Sequence, residues 1–209
     1  PDLFLLGLQA QDGSLESDQT SFAQCLGVAV LTADILLEID HVLRVVGAPG
    51  SVESLREEWR RFTVMTRSLD KFRAELPAFV ERLTALPRTR DPLTCPRVVV
   101  AGDFFTRFSP FFMEGVNDLY AEQGIILKPV DLSDLLLYLD YYRVAETASG
   151  WGMKPGGLAF GKACTRVLQA DGKQYLQKWF AYQTERLFED YYRRLFRRTG
   201  LLVAGPNDV

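Results

Sequence analysis

The chain has 209 residues, with 24 Lys and Arg against 27 Asp and Glu, a net charge of −3, and 47% hydrophobic residues. This balance excludes a disordered tail and weighs against a dedicated nucleic-acid binder, which carries a basic excess. One histidine, His41, excludes a multi-His metal site, and Cys25, Cys95 and Cys164 form no CxxC pair, which excludes a zinc ribbon and points to a reducing, cytoplasmic compartment.

In chain order, Leu3 to Leu8 reads as a short strand, closed by the polar stretch from Gln9 to Ser17. Ser17 or Asp18 can cap a helix beginning near Thr20. Leu26, Val30, Leu31, Ile35, Ile39 and Leu43 recur at helical steps and predict a mostly buried amphipathic helix, stopped by Gly47-Ala48-Pro49-Gly50. Ser54-Leu55-Arg56-Glu57 has the form of a capping box, with Ser51 as a rival cap. Leu55, Trp59, Phe62, Met65, Leu69, Phe72 and Leu76 predict one long helix of about six turns, ended or kinked by Pro77. Phe79, Val80, Leu83 and Leu86 predict a shorter helix to Pro87.

The stretch from Pro87 to Pro96 holds three prolines and is the best linker in the chain. It divides a helical segment with a short N-terminal strand, 1–90, from an α/β segment with a long C-terminal helix, 91–209. Arg97 to Asp103 is a β-branched run ending in Gly-Asp, the pattern of a buried parallel strand entering a loop. A helix from about Phe111 to Gln123, Gly124 as its stop, and a strand from Ile125 to Val130 complete a βαβ unit. Asp131-Leu132-Ser133-Asp134 caps a further helix running to about Thr147. A glycine-rich loop from Ser149 to Gly161, a short helix from Lys162 to Gln169, and a long helix from Lys173 to Arg198 follow. The expected fold is α/β and helix-rich, with a small parallel Rossmann- or flavodoxin-like sheet and long flanking helices. No run of 18 apolar residues is present, so a membrane-spanning helix is not expected. Pro1 opens the chain in mid-strand without a basic leader, which suggests a fragment of a larger protein.

Few motifs carry chemistry. Gly156 and Gly161-Lys162 satisfy G-x-x-x-x-G-K, but Ala163 stands where a P-loop needs Ser or Thr for magnesium, so a connector is the better reading. Gly102, Asp103 and Arg107 fall at the carboxyl end of a strand, where open α/β sheets bind ligands. An Arg there can grip phosphate or carboxylate, or Asp103 and Arg107 can simply pair with each other. Tyr138, Tyr141, Tyr142 and Trp151 at helical spacing read as core or interface. Arg193, Arg194, Arg197 and Arg198 read as a solvated helix end, paired with Glu185, Glu189 and Asp190 one turn earlier. His41 beside Asp40 has no legible nucleophile partner, and Cys25 and Cys164 lie in apolar helical patterns.

The run Val99-Val100-Ala101-Gly102-Asp103-Phe104-Phe105-Thr106-Arg107-Phe108-Ser109-Pro110-Phe111 resembles a segment of large CoA-enzyme activase proteins, relatives of the D-component of 2-hydroxyglutaryl-CoA dehydratase. Their pattern is roughly GE-aromatic-x-RF-x-PF, then a helix, Gly, a short strand, and Ser-acidic-Trp-x-x-Tyr. The continuation here is Gly124, Lys128-Pro129-Val130, Asp131-Leu132-Ser133-Asp134-Leu135 and Tyr138. Upstream, Ala33-Asp34-Ile35-Leu36 and Arg44 are similar to a further family segment, so the resemblance covers most of residues 20–203. The chain departs from the family at Asp103 for Glu, at Leu135 for Trp, and at Arg44-Val45-Val46-Gly47 for Arg-Pro-Tyr-Glu. None of the three cysteines matches the family's cluster-bearing segments.

The resemblance implies a dehydratase-like scaffold domain within an ATP-dependent iron–sulfur system acting on 2-hydroxyacyl-CoA, not catalytic alone. Its ligand-pocket candidates are Gly102, Asp103, Arg107 and Ser133, with no catalytic residue and no metal ligand. It implies no cofactor in this chain, and a 4Fe-4S cluster and ATP in a full-length protein. Its partners would be the parent protein's other domains or a dehydratase or activator subunit, and acyl-CoA, with no nucleic acid and no membrane. The alternative is a non-catalytic docking module.

Overall fold

A computed structural model describes residues 15–102, 109–113, 115–133 and 189–202. The first element, α1 (Leu15–Val46), is 32 residues long. It begins five residues before the predicted start, because Leu15 to Gln19 contains no Gly or Pro to stop it. Its length is about 48 Å at 1.5 Å per residue. Val28, Leu31, Ile35, Leu36, Ile39, Val42, Leu43 and Val46 are all buried on it. It contacts most other described elements and forms the spine of the fold. Gly47 ends it, its N–H donating to Leu43 O at 2.8 Å. A Cβ at Gly47 would lie 2.4 Å from that same carbonyl oxygen, so only glycine fits the turn.

The stripe read as one long helix is two helices folded against each other, α2 (Ser51–Met65) and α3 (Leu69–Thr84). The break falls at Thr66, whose N–H and Oγ1 both donate to Phe62 O, at 3.0 and 2.6 Å. Ser68 then caps α3 by accepting from Lys71 N. Local hydroxyl groups that compete for backbone partners turn the chain there. Apolar periodicity runs across the break because both helices face the same core. Pro77 lies inside α3 rather than at a boundary. Its intrinsic cost of about 3 kcal/mol is offset by Leu76, Phe79 and Val80, all fully buried around it. The predicted capping box is not formed either. Gly50, in the left-handed region at φ 87°, precedes α2, and Ser54 Oγ donates to Gly50 O instead.

Phe79 is the centre of the aromatic core. It stacks on Phe62 with ring centroids 4.5 Å apart, and Trp59 and Phe196 lie 5.8 and 6.3 Å away. Phe72 meets Phe62 edge-on at 5.1 Å. Phe196 belongs to α6 (Glu189–Arg197), the described end of the predicted long C-terminal helix. The stretch after α3 is pinned to the end of α1. Ala48 N donates to Pro87 O, and Thr89 donates to Val46 O through both its N–H and its Oγ1. A 3-10 turn, Pro92–Thr94, follows, with Asp91 as its cap. One buried cluster draws on residues from both sides of this stretch, from Val28 to Leu86 and from Cys95 to Leu202.

The βαβ unit is present. Strands β1 (Arg97–Val100) and β2 (Ile126–Pro129) pair in parallel, with Arg97 opposite Ile126 and Val100 opposite Pro129. The connection is broken at Gly115, with φ 77°, into α4 (Pro110–Met113) and α5 (Val116–Glu122), rather than forming one helix. The two strands differ in burial. Ile126 and Leu127 of β2 are covered, whereas Val99 of β1 is 59% exposed, so β1 is not the buried strand its composition suggests. In the sheet of the described residues β1 pairs with β2 alone, and α1 packs on β2. The architecture is a helix-rich α/β fold on a two-stranded parallel sheet. No helix among the described residues is long and apolar enough to cross a membrane. The readings for 3–8, 138–151, 156–163 and 164 lie outside the described residues.

Candidate functional site

Among the buried polar residues of α1, Asp34, Glu38 and His41 follow one another at a four- and then a three-residue step. That spacing puts them on one helix face. All three are buried, and they face β2 and the chain leaving its carboxyl end. This is the end of a parallel sheet at which α/β folds place ligands.

Asp34 reaches 98 residues along the chain. Its carboxylate accepts from Leu132 N at 3.0 Å and from Ser133 N at 2.9 Å, the start of a helical turn. It does from a distance what a local cap does at a helix N-terminus, satisfying backbone N–H groups that have no intrahelical partner. Burial pushes the Asp34 carboxyl up to about 6, against the pull of those two N–H donors, with Asp131 adding to the rise. Asp131 forms an ion pair with Arg193 of α6. Glu38 lies 3.5 Å from Lys128 Nζ and 3.7 Å from Arg193 Nη1. Burial raises its pKa, and these two cations hold it back. Three carboxylates therefore meet two cations, and burial, with a smaller contribution from the Asp131 charge, accounts for the readiness of Asp34 to hold a proton.

His41 supplies no further positive charge. Its Nδ1 lies 3.0 Å from Leu127 O, a hydrogen bond in which the Nδ1–H donates and which fixes the tautomer. Burial lowers its pKa, with Asp40 opposing, so the ring is held neutral. Asp40 belongs to a separate network on another face of α1. It accepts from Arg44 at 2.6 Å and Arg56 at 3.3 Å, and Arg44 reaches on to Asp118 of α5 at 2.7 Å.

Of the sequence-predicted pocket residues, Ser133 is buried in this seam, held through its backbone by Asp34. Gly102 lies just beyond the carboxyl end of β1 with φ 144°, and a Cβ there would meet nothing within 4 Å. Its glycine requirement is therefore one of backbone conformation, not of space. Asp103 and Arg107 lie outside the described residues. Arg193, read from sequence as part of a solvated helix end, is instead a half-buried partner of two carboxylates. Glu38, Lys128 and Asp131 went unread as a set. The one local signal is the polar i, i+4, i+7 triplet on a helix whose buried positions are mostly apolar.

Cys25 is half-buried on α1, and the Cys95 thiol is buried near Asp91 O, at 3.8 Å. Among the described residues, no group of three or more His, Cys, Asp or Glu is arranged to hold a metal ion. The described side chains do not fit an iron–sulfur cluster. No family model, no curated protein and no solved structure matches the chain.

Proposed function

We propose that the chain is a dehydratase-like scaffold domain of an ATP-dependent iron–sulfur system acting on 2-hydroxyacyl-CoA, cytoplasmic and not catalytic by itself. The sheet of such a domain would be flavodoxin-like, extending the β1–β2 pair. One observation carries the reading. Ala33-Asp34-Ile35-Leu36 and Asp131-Leu132-Ser133-Asp134 each resemble the CoA-enzyme activase pattern, and Asp34 joins the two segments by two backbone hydrogen bonds. A sequence likeness carried by distant segments gains weight when those segments meet at the carboxyl end of a strand. In this reading Asp34 and its seam hold the loop ends around Gly102 and Ser133, and the pocket edge with Asp103 and Arg107 takes the acyl-CoA.

Thermal unfolding of the whole chain with a 2-hydroxyacyl-CoA thioester tests it. Ligand at 100 times its Kd adds about 2.7 kcal/mol to stability. Arg107→Ala would remove that gain and leave the unliganded stability unchanged. Absence of a shift with any acyl-CoA, together with no association with an ATP-hydrolysing iron–sulfur activator, rejects the proposal.

A docking module is the second reading, favoured by apolar exposure on the βαβ unit. Val99 is 59% and Leu119 57% exposed. In that case Val99→Glu abolishes association with the partner protein without altering the fold, and no acyl-CoA binds.

A further inference from the structure

A second site lies away from the charged seam and does not depend on the acyl-CoA reading. Residues 87–93 and the turn after α6 enclose an open groove of about 480 Å³, lined by Arg88, Arg90, Asp91, Pro92, Leu93, Gly200 and Leu202. That volume falls within the range of small-molecule sites, about 300–1,000 Å³.

Backbone pairing sets the two arginines. Thr89 turns its side chain toward Val46 O, and Arg88 forms an isolated bridge with Gly47. Arg88 and Arg90 flank Thr89, and both line the groove. Each guanidinium then lies over a glycine in the left-handed region. A Cβ at Gly200 would come within 3.0 Å of Arg88 Nη1, and one at Gly124 within 3.1 Å of Arg90 Nη1. Glycine suits both places by its left-handed backbone, at φ 65° and 73°, and leaves room for the guanidinium tips. Neither arginine makes an ion pair among the described residues; Arg88 Nη2 makes only a long contact, 3.5 Å, with Thr84 O. The one groove carboxylate, Asp91, is engaged as a cap, its Oδ1 accepting from Leu93 N at 2.9 Å. Both arginines also lie by helix C-terminal turns, where partial negative charge favours them. A helix end carries only about half a charge, which leaves a good part of each guanidinium's charge for a ligand.

We propose that this groove binds a small molecule bearing a diphosphate. Each guanidinium presents a planar fork of N–H donors that matches one phosphoryl group. Pro92, Leu93 and Leu202 form an apolar wall beside the charge. The same chemistry is offered by free diphosphate and by a nucleoside diphosphate.

Calorimetric titration of the whole chain at low salt with inorganic pyrophosphate and with ADP tests the site. One-to-one binding is expected, weakened about tenfold or more by Arg88→Gln and by Arg90→Gln, the loss typical of a charged hydrogen bond. Arg90→Lys keeps the charge without the fork and falls between. Equal affinity for both probes assigns the groove to diphosphate itself, and tighter ADP assigns the apolar wall to a nucleoside. Binding of neither probe, or unchanged affinity in both arginine variants, overturns the proposal. Should those variants fail to fold, Leu93→Glu decides. Leu93 is 73% exposed on the groove lip, so a carboxylate there repels the ligand and spares the core. Unchanged affinity in Leu93→Glu likewise overturns the site.

Discussion

One helix serves two interiors of opposite kind. On one side, α1 joins α2, α3 and α6 around Phe62, Phe72, Phe79 and Phe196, each fully buried and in ring-to-ring contact. On the other, it presents Asp34, Glu38 and His41 to β2, Asp131 and Arg193. The dry side is held by contact area and shape, which carry no information about which segment belongs opposite which beyond volume. The polar side is held by directional bonds between named atoms. A misregistered β2 would still bury Ile126 and Leu127, but it would strand the Asp34 carboxylate and the Leu132 and Ser133 N–H groups. The contrast teaches that the core supplies stability while the seam fixes register, the best-attested role of buried polar groups.

The largest effect should come from breaking the dry side. Phe79→Ala removes the ring that touches Trp59, Phe62 and Phe196. A loss of about 3–5 kcal/mol is expected, read as a fall in the urea midpoint. The pH dependence of stability should not change, because the cation over the Phe79 ring, the Arg82 guanidinium at 5.9 Å, stays charged across the range. A changed pH profile in Phe79→Ala would mean that the two sides are not independent.

The seam should respond to pH. The Asp34 carboxyl sits at about 6 in the folded chain against 3.8 in the unfolded one. Its raised value means that folding favours the protonated form. The corresponding stability is fully present below pH 3.8 and is lost as pH rises through about 6. The difference amounts to about 3 kcal/mol at 1.36 kcal/mol per pH unit. Glu38, also raised, acts in the same direction. His41 acts in the opposite one. Its lowered pKa means that stability is present above 6.5 and is lost as pH falls below it. Asp34→Asn keeps one acceptor for the Leu132 and Ser133 N–H groups but cannot titrate. Urea unfolding from pH 7 to pH 4 should therefore find the variant losing ground to the parent chain by about 2 kcal/mol, most of the full difference. His41→Gln, which still donates to Leu127 O, should instead gain on the parent over the same range. Parallel pH profiles for all three proteins would remove the seam as a titrating unit.

This division also explains what the sequence made legible. The helical stripes of α1, α2 and α3 could be read because apolar periodicity is local, and the parallel pair could be read from two β-branched or apolar runs about 30 residues apart. The turn at Thr66 to Ser68 was hidden because two helices facing one core keep one periodicity. Pro77 misled for the converse reason: a local penalty was overridden by the burial of Leu76, Phe79 and Val80. Ser133 was legible as a candidate from its motif. Its partner Asp34 belongs to another motif, and nothing local says that residues 34 and 133 meet. Glu38, Lys128, Asp131 and Arg193 needed the fold itself to bring three segments together. Arg88 and Arg90 carry no local sign of a site, because they lie in a proline-rich stretch that reads as a linker and is pinned only by pairing with the end of α1.

The smallest expected effect tests that pairing, where the two sides of the molecule join. Thr89 donates to Val46 O through its N–H at 2.7 Å and its Oγ1 at 3.1 Å. Thr89→Val keeps the β-branched shape and the backbone bond and removes only the hydroxyl contact. The expected loss is about 1 kcal/mol by urea unfolding, with the pH profile of the parent chain intact, because no group of the seam is touched. The backbone bond should hold Arg88 and Arg90 in place, so affinity for pyrophosphate should fall less than in either arginine variant. A loss nearer that of Phe79→Ala would mean that the hydroxyl, rather than the backbone, ties residues 87–93 to α1. The joint would then belong with the directional seam, and polar bonds would set the register at both ends of the helix face.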